Sequence, residues 1–497
     1  MPIIRACCSQ ADVLDTVKEM QIYRNPKFTT RRDDITLARI FSAVYGNVLR
    51  YNRTAKEWFA YDGIVWKKDT GGLIAEGLAK LLADALYLCA VDGDDAFRKF
   101  ILTLGSRHKR TTMIADSRDF KTLDYEDLDQ DPFLLNCKNG TLNLLTYELQ
   151  PHRSEDLISK CAGCNYDPDA SQDEWKKFIS EIMQDNDAKT DYLQRIAGYA
   201  LLGTAPEEQA FIFFGPTTRN GKGTLSETLL ATLGDYGMIA SPDTLAATNR
   251  DSRAASSDVA RLAGCRLLRM SEPAKRMVLN VELLKTLIGR DRIVARNLFE
   301  GEQEFLPVFK LVIDANYLPI VNDDTVFKSD RLSVLTFDRH FEPHEQDKTL
   351  KTRLQTKENL SAVLNWCIEG LQAYRDRGLT QPMEVQEATN EYRKKSDKIG
   401  TFIKECLTKD PRNNMSVSTA YELYRDWCTG AGYGTENKGN FMADIKSRGL
   451  WKFSGTVEGQ TVKNIISGYR KKGQDEDQNG DEEFMPLDRA DSPFLTE

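Results

Sequence analysis

Apolar residues recur along this chain with two periods, and their alternation with polar stretches divides it into blocks. A helical spacing near residues 11–20 stands alone in a polar opening, and sustained periodicity begins with a helix over 36–44. A strand-rich segment follows around Trp58 and Trp66, with Asp62-Gly63 as its hairpin turn. Helical spacing returns over 73–91 and 96–104, and Asn139-Gly140 marks a second hairpin between apolar residues 134–135 and 142–145. Residues 164–174, rich in Asp and containing Pro, read as a linker, and 175–202 offer two helices. Short, largely apolar runs at 211–214, 266–271, 310–315 and 333–337 suit strands of a parallel sheet buried on both faces. Towards the end, helical spacing over 399–407, 417–428 and 438–447 precedes two strand candidates, 451–453 and 461–466. There is no internal repeat.

Length and composition narrow the class. A chain of 497 residues holds about three domains of ordinary size. No apolar run approaches the ~20 residues that span a bilayer, and the opening MPIIRACCSQ lacks a secretory layout. Ten scattered cysteines indicate a reduced, cytoplasmic setting. Cys161 and Cys164 have metal-like spacing, but without a second pair they read as coincidence. The formal net charge of −8 argues against a nucleic-acid partner until it is divided along the chain. Residues 475–497 carry nine acids and one base, residues 393–472 sixteen bases and eight acids, and residues 1–392 fifty bases and fifty-eight acids. An acidic body and an acidic tail enclose a basic module of +8, a distribution that points to a charged partner.

The densest chemistry lies at 211–225, FIFFGPTTRNGKGTL. An apolar strand enters a Gly-rich turn with Gly215, Asn220, Gly221, Lys222, Gly223 and Thr224, and a helix follows over 225–233. That context is what a phosphate-binding loop needs: backbone N–H groups at a helix start cradle phosphate and a lysine neutralises it. Two features depart from the common pattern. Five residues rather than four separate Gly215 from Gly221, and Gly223 stands where Ser or Thr is usual, leaving Thr224 as the nearest hydroxyl for Mg²⁺. The same GKGT also ends the loop of nucleotide kinases, so the loop alone leaves a kinase open. A second strand ends at Glu272, 50 residues after Lys222, where a carboxylate can hold Mg²⁺ or orient water. A third strand ends at Asn316, and Arg331 precedes a fourth.

In this order the residues resemble the phage, plasmid and poxvirus primase–helicase group within the superfamily 3 helicases. The resemblance is carried by GYALLGTAPEEQAFIFFGPTTRNGKGTL (198–225), RLAGCRLLRMSEP (261–273), LLKTLIGRDRIVAR (283–296), FLPVFKLVIDANYLP (305–319) and DRLSVLTF (330–337). Upstream W–YDG–W (58–66) and NGTLNL (139–144), and downstream NWCIEGL (365–371) and EYRKKSDKIGTFI (391–403), fit as well. The resemblance implies an α/β fold: an AAA+-like P-loop ATPase core with a parallel sheet, after an α+β N-terminal domain. It implies that Lys222 binds the β/γ-phosphates of ATP with Thr224 near Mg²⁺, that Glu272 is the metal-linked acid activating water, and that Asn316 senses the γ-phosphate. Arg331 becomes a finger into the neighbouring subunit's nucleotide, which requires a homo-oligomeric ring, a hexamer. A hairpin over 292–299 and 303–309, around Glu300-Gly301-Glu302, would grip single-stranded DNA, with Lys285, Arg290, Arg292 and Arg296 as contacts; its acidic tip departs from what such a loop should want.

The chain thus divides into a 1–35 leader, a 36–170 helicase-associated domain, a 171–392 ATPase domain, a 393–472 basic module and a 473–497 disordered acidic tail. Three helices and a hairpin with excess positive charge read as a winged-helix-like module for duplex DNA, or else a protein-docking domain. Only about 35 residues precede the first matching segment, far below the ~100 a primase domain needs, so the expectation is unwinding or melting of DNA without primer synthesis. The expectation is an ATP-driven DNA helicase of a phage or mobile element in a bacterial host, working with a separate primase or replisome protein. A DNA-binding initiator whose ATP site is only structural is the non-enzymatic alternative.

Overall fold

The computed structural model describes residues 8–246, 259–275, 277–296, 302–321, 323, 325–431 and 434–473. Its first unit begins earlier than the pattern suggests. Helix Gln10–Glu19 is capped by Ser9, whose side chain accepts from the Asp12 N–H while the Asp12 carboxylate accepts from Ser9. Val13 and Val17, four residues apart, lie on one face of it and pack with helix Leu73–Cys89; both are fully buried, as is Ile22. The described part of the supposed 1–35 leader is therefore core, a correction with a simple cause: a few well-spaced apolar residues dock a short helix even when its mean hydropathy is low. The same core takes in helices Asp34–Tyr45, Asp95–Leu102 and Arg107–Asp116 and an antiparallel sheet of β1 (Leu49–Asn52), β2 (Glu57–Tyr61) and β3 (Trp66–Asp69). Asp62 shapes the β2–β3 turn, its carboxylate accepting from the N–H groups of Ile64 and Val65.

The boundary near residue 170 also moves. Strands β4 (Leu134–Cys137), β5 (Gly140–Asn143) and β6 (Leu149–Gln150) form a small sheet whose Leu135, Cys137, Leu142 and Leu144 share a core with Trp175, Phe178 and the helices that follow. The stretch read as a linker is pinned to helix Lys357–Arg377, where Ser361 Oγ donates to the Asn165 carbonyl and Asn365 Nδ2 to the Asp167 carbonyl, each at 2.8 Å. A polar composition marked it as a loop but could not show that its carbonyls had partners.

The central layer is a five-stranded sheet of β7 (Ala210–Phe214), β8 (Gly237–Ala240), β9 (Leu267–Ser271), β12 (Lys310–Ala315) and β13 (Leu332–Thr336), with the hairpin β10 (Ile293–Arg296) and β11 (Glu302–Phe305) between β9 and β12 in sequence. All five strands are parallel, in the order β13-β7-β12-β9-β8. Alternation sorts their side chains: Phe211 and Phe213 face one layer, with Val312 and Leu335, against helices Asp187–Tyr199, Lys222–Leu233 and Lys357–Arg377. Ala210, Ile212, Ile313 and Val334 face the other, with helix Val281–Ile288 and Tyr392. Both faces being buried, the strands are largely apolar.

The last unit runs helix Lys398–Cys406, β14 (Leu407–Ser416), helices Val417–Gly430 and Lys438–Ser447, β15 (Trp451–Val457) and β16 (Gln460–Lys471). The helices and the β15–β16 hairpin match the expectation; β14 does not appear in the pattern at all. It carries Pro411 among polar residues and pairs with β16 through a register shift between Lys409 and Asn414, which accommodates a residue lacking an N–H. The acidic segment 475–497 lies outside the described residues, as do the tip residues Glu300 and Gly301 of the β10–β11 hairpin. Among the described residues no helix is long and apolar enough to cross a membrane.

Candidate nucleotide-binding site

Parallel register brings the C-terminal ends of β7, β12 and β9 to one edge of the sheet. There the Gly215 N–H donates to the Ala315 carbonyl at 3.0 Å and the Glu272 N–H to the Asp314 carbonyl at 2.8 Å. Residues 215, 272 and 314–316, far apart in the chain, are thus adjacent backbone positions. Lys222, the first residue of helix Lys222–Leu233, turns back over this edge. Its Nζ donates to Asn316 Oδ1 at 3.0 Å and to the Gly215 carbonyl at 3.2 Å. Burial lowers the Lys222 ammonium to about 8, against the opposing pull of Asp314 and Glu272. A lysine desolvated in this way is primed to be stabilised by an arriving polyanion.

The loop's departures from the common spacing have a structural resolution. Arg219 and Gly221 take left-handed backbone conformations (φ 58° and 83°), and buried Asn220 closes the longer turn with a 2.6 Å bond from Nδ2 to the Thr217 carbonyl. A Cβ on Gly221 would stand 2.4 Å from Ile182 Cγ2, and one on Gly215 would meet Asn220 and Lys222 at 2.2 and 2.6 Å. At Gly223, in contrast, a Cβ would meet nothing within 4 Å. The segment after β13 braces the loop from outside: His340 Nδ1 lies 2.8 Å from the Thr218 carbonyl, and the Phe341 N–H donates to the Arg219 carbonyl at 2.9 Å.

Glu272 sits exposed just past β9 with φ 52°, a left-handed conformation that costs a non-glycine residue about 1–3 kcal/mol and is held by the bond to the Asp314 carbonyl. A glycine cradle, a helix N-terminus, a lysine and a carboxylate fit a nucleotide phosphate chain. Thr224 and Glu272 are the residues that would hold Mg²⁺, which when bound neutralises phosphate charge.

Asp314, buried between the loop helix and β9, was not singled out by its sequence context. Its carboxylate accepts from Ser226 Oγ at 2.9 Å and from Arg269 Nε at 2.7 Å, while burial pushes its pKa upward against those partners. The available signal was a charge inside each of two neighbouring, otherwise apolar strands, Arg269 in β9 and Asp314 in β12. Deeper still, Lys310 and Arg266, at the opposite ends of β12 and β9, hydrogen-bond the carbonyls of Leu202 and Leu134, at 2.5 and 2.6 Å.

The remaining candidates fall in two places. Arg331 immediately precedes β13 and its carbonyl accepts from the Ala210 N–H, so it lies at the edge of the sheet opposite the loop. At ~3.3 Å per residue the length of β7 separates it from Gly215 by about 16 Å, beyond its own chain's loop. Arg290 and Lys285 lie near it rather than on the hairpin. Arg290 binds Glu208 at 3.2 Å, and Lys285 binds Asp323 at 2.9 Å. On the hairpin, Arg292 is exposed and 3.9 Å from Glu304, and Arg296 pairs in backbone register with Glu302; the Arg296 side chain is outside the described atoms. Cys161 and Cys164 are held as thiols by burial, which pushes them up to about 11 and 12, and no group of three metal-ligating side chains occurs among the described residues.

Comparison with known proteins finds likenesses in sequence and in fold. The family described as D5 N terminal like matches residues 38–184. A helicase-designated protein of Acanthamoeba polyphaga mimivirus is 28% identical over 326 residues, 61% of this chain and 33% of its own length. One of Frog virus 3 is 29% identical over 273 residues, 50% of this chain and 27% of its own. These likenesses are to viral proteins with helicase and primase designations. Other relatives carry a primase designation, as in African swine fever virus, 23% identical over 67% of this chain and 36% of theirs. The chain spans about a third of the length of the curated relatives it matches. Its fold is shared with the apo C-terminal region (305–718) of NrS-1, at a TM-score of 0.51 and 11% identity, over 88% of this chain and all of that one.

Proposed function

We propose that this chain is an ATP-dependent DNA helicase of superfamily 3 type that works as a hexameric ring in the replication of a phage, virus or related mobile element. The observation that carries the reading is the meeting of Lys222, Asn316 and Glu272 at the ends of three parallel strands. A strand order with β12 between β7 and β9 supports an AAA+-like P-loop core, because it sets a polar amide between phosphate lysine and acid. In this reading the loop from Gly215 to Thr224 holds ATP with Mg²⁺, Glu272 orients the attacking water, and Asn316 contacts the γ-phosphate. Arg331, out of reach of its own loop, completes the site of a neighbouring subunit, which is why a ring is needed. The β10–β11 hairpin, with Arg292 and Arg296, faces single-stranded DNA, and the basic 393–472 unit, with the helix and strand order of a winged helix, binds duplex. A separate primase or replisome protein is the expected partner.

The test is strand displacement on a forked duplex together with DNA-stimulated ATP hydrolysis. Lys222→Ala and Glu272→Gln are expected to abolish both, with the circular-dichroism spectrum and melting curve of wild type. Unwinding retained by either variant would sink the reading. ATP binding without DNA-stimulated turnover in the wild type would favour an initiator with a structural nucleotide instead.

A further inference from the structure

The unit at the start of the chain carries an apolar surface that its own core leaves uncovered. Tyr87, Leu88 and Val91, at and just beyond the end of helix Leu73–Cys89, are each more than half exposed, as is Leu102 at the end of helix Asp95–Leu102. Helical spacing puts Lys80, Asp84 and Tyr87 on one face of the first helix, and that face and Leu102 wall a cleft of about 500 Å³. Its surroundings are basic. Residues 98–110 hold five bases, Arg98, Lys99, Arg107, Lys109 and Arg110, and no acid. Arg98 pairs with Asp95 at 3.7 Å and Lys109 with Asp34 at 2.8 Å. Arg110, on the cleft wall, is held by carbonyls instead: its Nη1 donates to Leu104 at 2.6 Å and to Gly105 at 2.9 Å. Among the described residues neither Arg110 nor Lys80 has an ion pair, and Asp84 is the one acid lining the cleft.

The chain itself supplies a segment of matching chemistry. Asp481-Glu482-Glu483 leads directly into Phe484-Met485-Pro486-Leu487, and Asp488 follows. A segment that is only solvated acid gains nothing from three large apolar residues in four positions. We propose that residues 481–488 dock on this cleft, of their own or a neighbouring copy. Phe484, Met485 and Leu487 then cover Tyr87 and Leu102, and the flanking carboxylates meet Arg110 and Lys80. The basic 393–472 unit is the competing site, but among its described large apolar residues it exposes only Phe453. Charge draws the segment to either place; the apolar anchors choose the cleft. Asp475, Glu476 and Asp477, next to the basic unit in sequence, lie outside the docked part and remain available to oppose DNA there. Nothing in this inference depends on the nucleotide site.

The experiment titrates a fluorescein-labelled peptide of residues 478–497 with the chain lacking 475–497, reading anisotropy at low and high salt. Saturable binding that persists at high salt is expected, because apolar contacts are not screened. Tyr87→Ala with Leu102→Ala, both exposed and so expected to keep the melting curve of the parent, should weaken binding by about 10-fold or more. Phe484→Ala with Leu487→Ala in the peptide should do the same, and Lys80→Glu should weaken it mainly at low salt. The full chain should bind the peptide more weakly than the shortened one, since its own segment occupies the cleft. Protection that is independent of protein concentration assigns the segment to its own copy, and protection that grows with concentration assigns it to a neighbour. Equal binding by the peptide without Phe484 and Leu487, or binding lost at high salt, would reduce the contact to charge and overturn the proposal. Equal affinity of the full and shortened chains for the peptide would overturn it too. Self-association of the shortened chain that Tyr87→Ala with Leu102→Ala abolishes, without peptide binding, would give the surface to a second copy instead.

Discussion

At residue scale the phosphate loop separates two kinds of glycine that look alike on paper. Gly221 is required twice, by a φ of 83° and by Ile182 Cγ2 at 2.4 Å from any added Cβ. Gly221→Ala should cost at least the ~1–2 kcal/mol of a left-handed alanine, lowering the melting temperature and weakening ATP binding. Gly223 lies in the first turn of its helix with open space around it. Gly223→Ser, the residue common at this position elsewhere, should leave ATP binding intact and gain up to about 0.5 kcal/mol from helix propensity. A thermal-shift series with and without ATP reads both; equal effects would contradict the asymmetry. Lys222, Glu272 and Asn316 were legible because each ends a strand or begins a helix, where local pattern marks the site. Asp314 was not, because its partners, Ser226 and Arg269, lie 88 and 45 residues away.

Among elements, the helix at the chain's start and strand β14 differ in what pattern shows. Helix Gln10–Glu19 is visible as a helical spacing, but its polar surroundings hide that Val13 and Val17 are fully buried. Replacing Val13 and Val17 together by Ala should cost about 3 kcal/mol at ~0.8 kcal/mol per buried methylene, seen as a lower denaturant midpoint. A change below about 0.5 kcal/mol would return the segment to the status of a leader. β14 is polar, contains Pro411 and exists as a strand only because β16 lies beside it. Strands β7, β9, β12 and β13 were legible for the converse reason, since burial on both faces makes them largely apolar.

For the whole molecule, charge distribution is the governing feature. If the basic unit of +8 at 393–472 binds duplex, binding should fall steeply with salt, and the −8 segment 475–497 is expected to compete with DNA for it. Removing residues 475–497 should therefore tighten duplex binding at low salt and make little difference at high salt, measured by fluorescence anisotropy over a salt series. An affinity unchanged at low salt would end the idea of a competing tail. The body's excess of acids does not oppose a DNA partner, because opposite charges are held on different units.

The sequence by itself determined the parallel-sheet strands, the glycine-rich turn into helix Lys222–Leu233, the two polar residues that follow β9 and β12, and the resemblance to primase–helicases. All of these are local patterns of period, turn chemistry and spacing. Only the tertiary structure decided that Lys222 meets Asn316, that Arg331 lies on the far edge from its own loop, and that Arg290 shares Glu208 with it. Those facts depend on which strands are neighbours and in what register. Hydrogen bonds between strands set that order, and they leave no periodic trace along the chain.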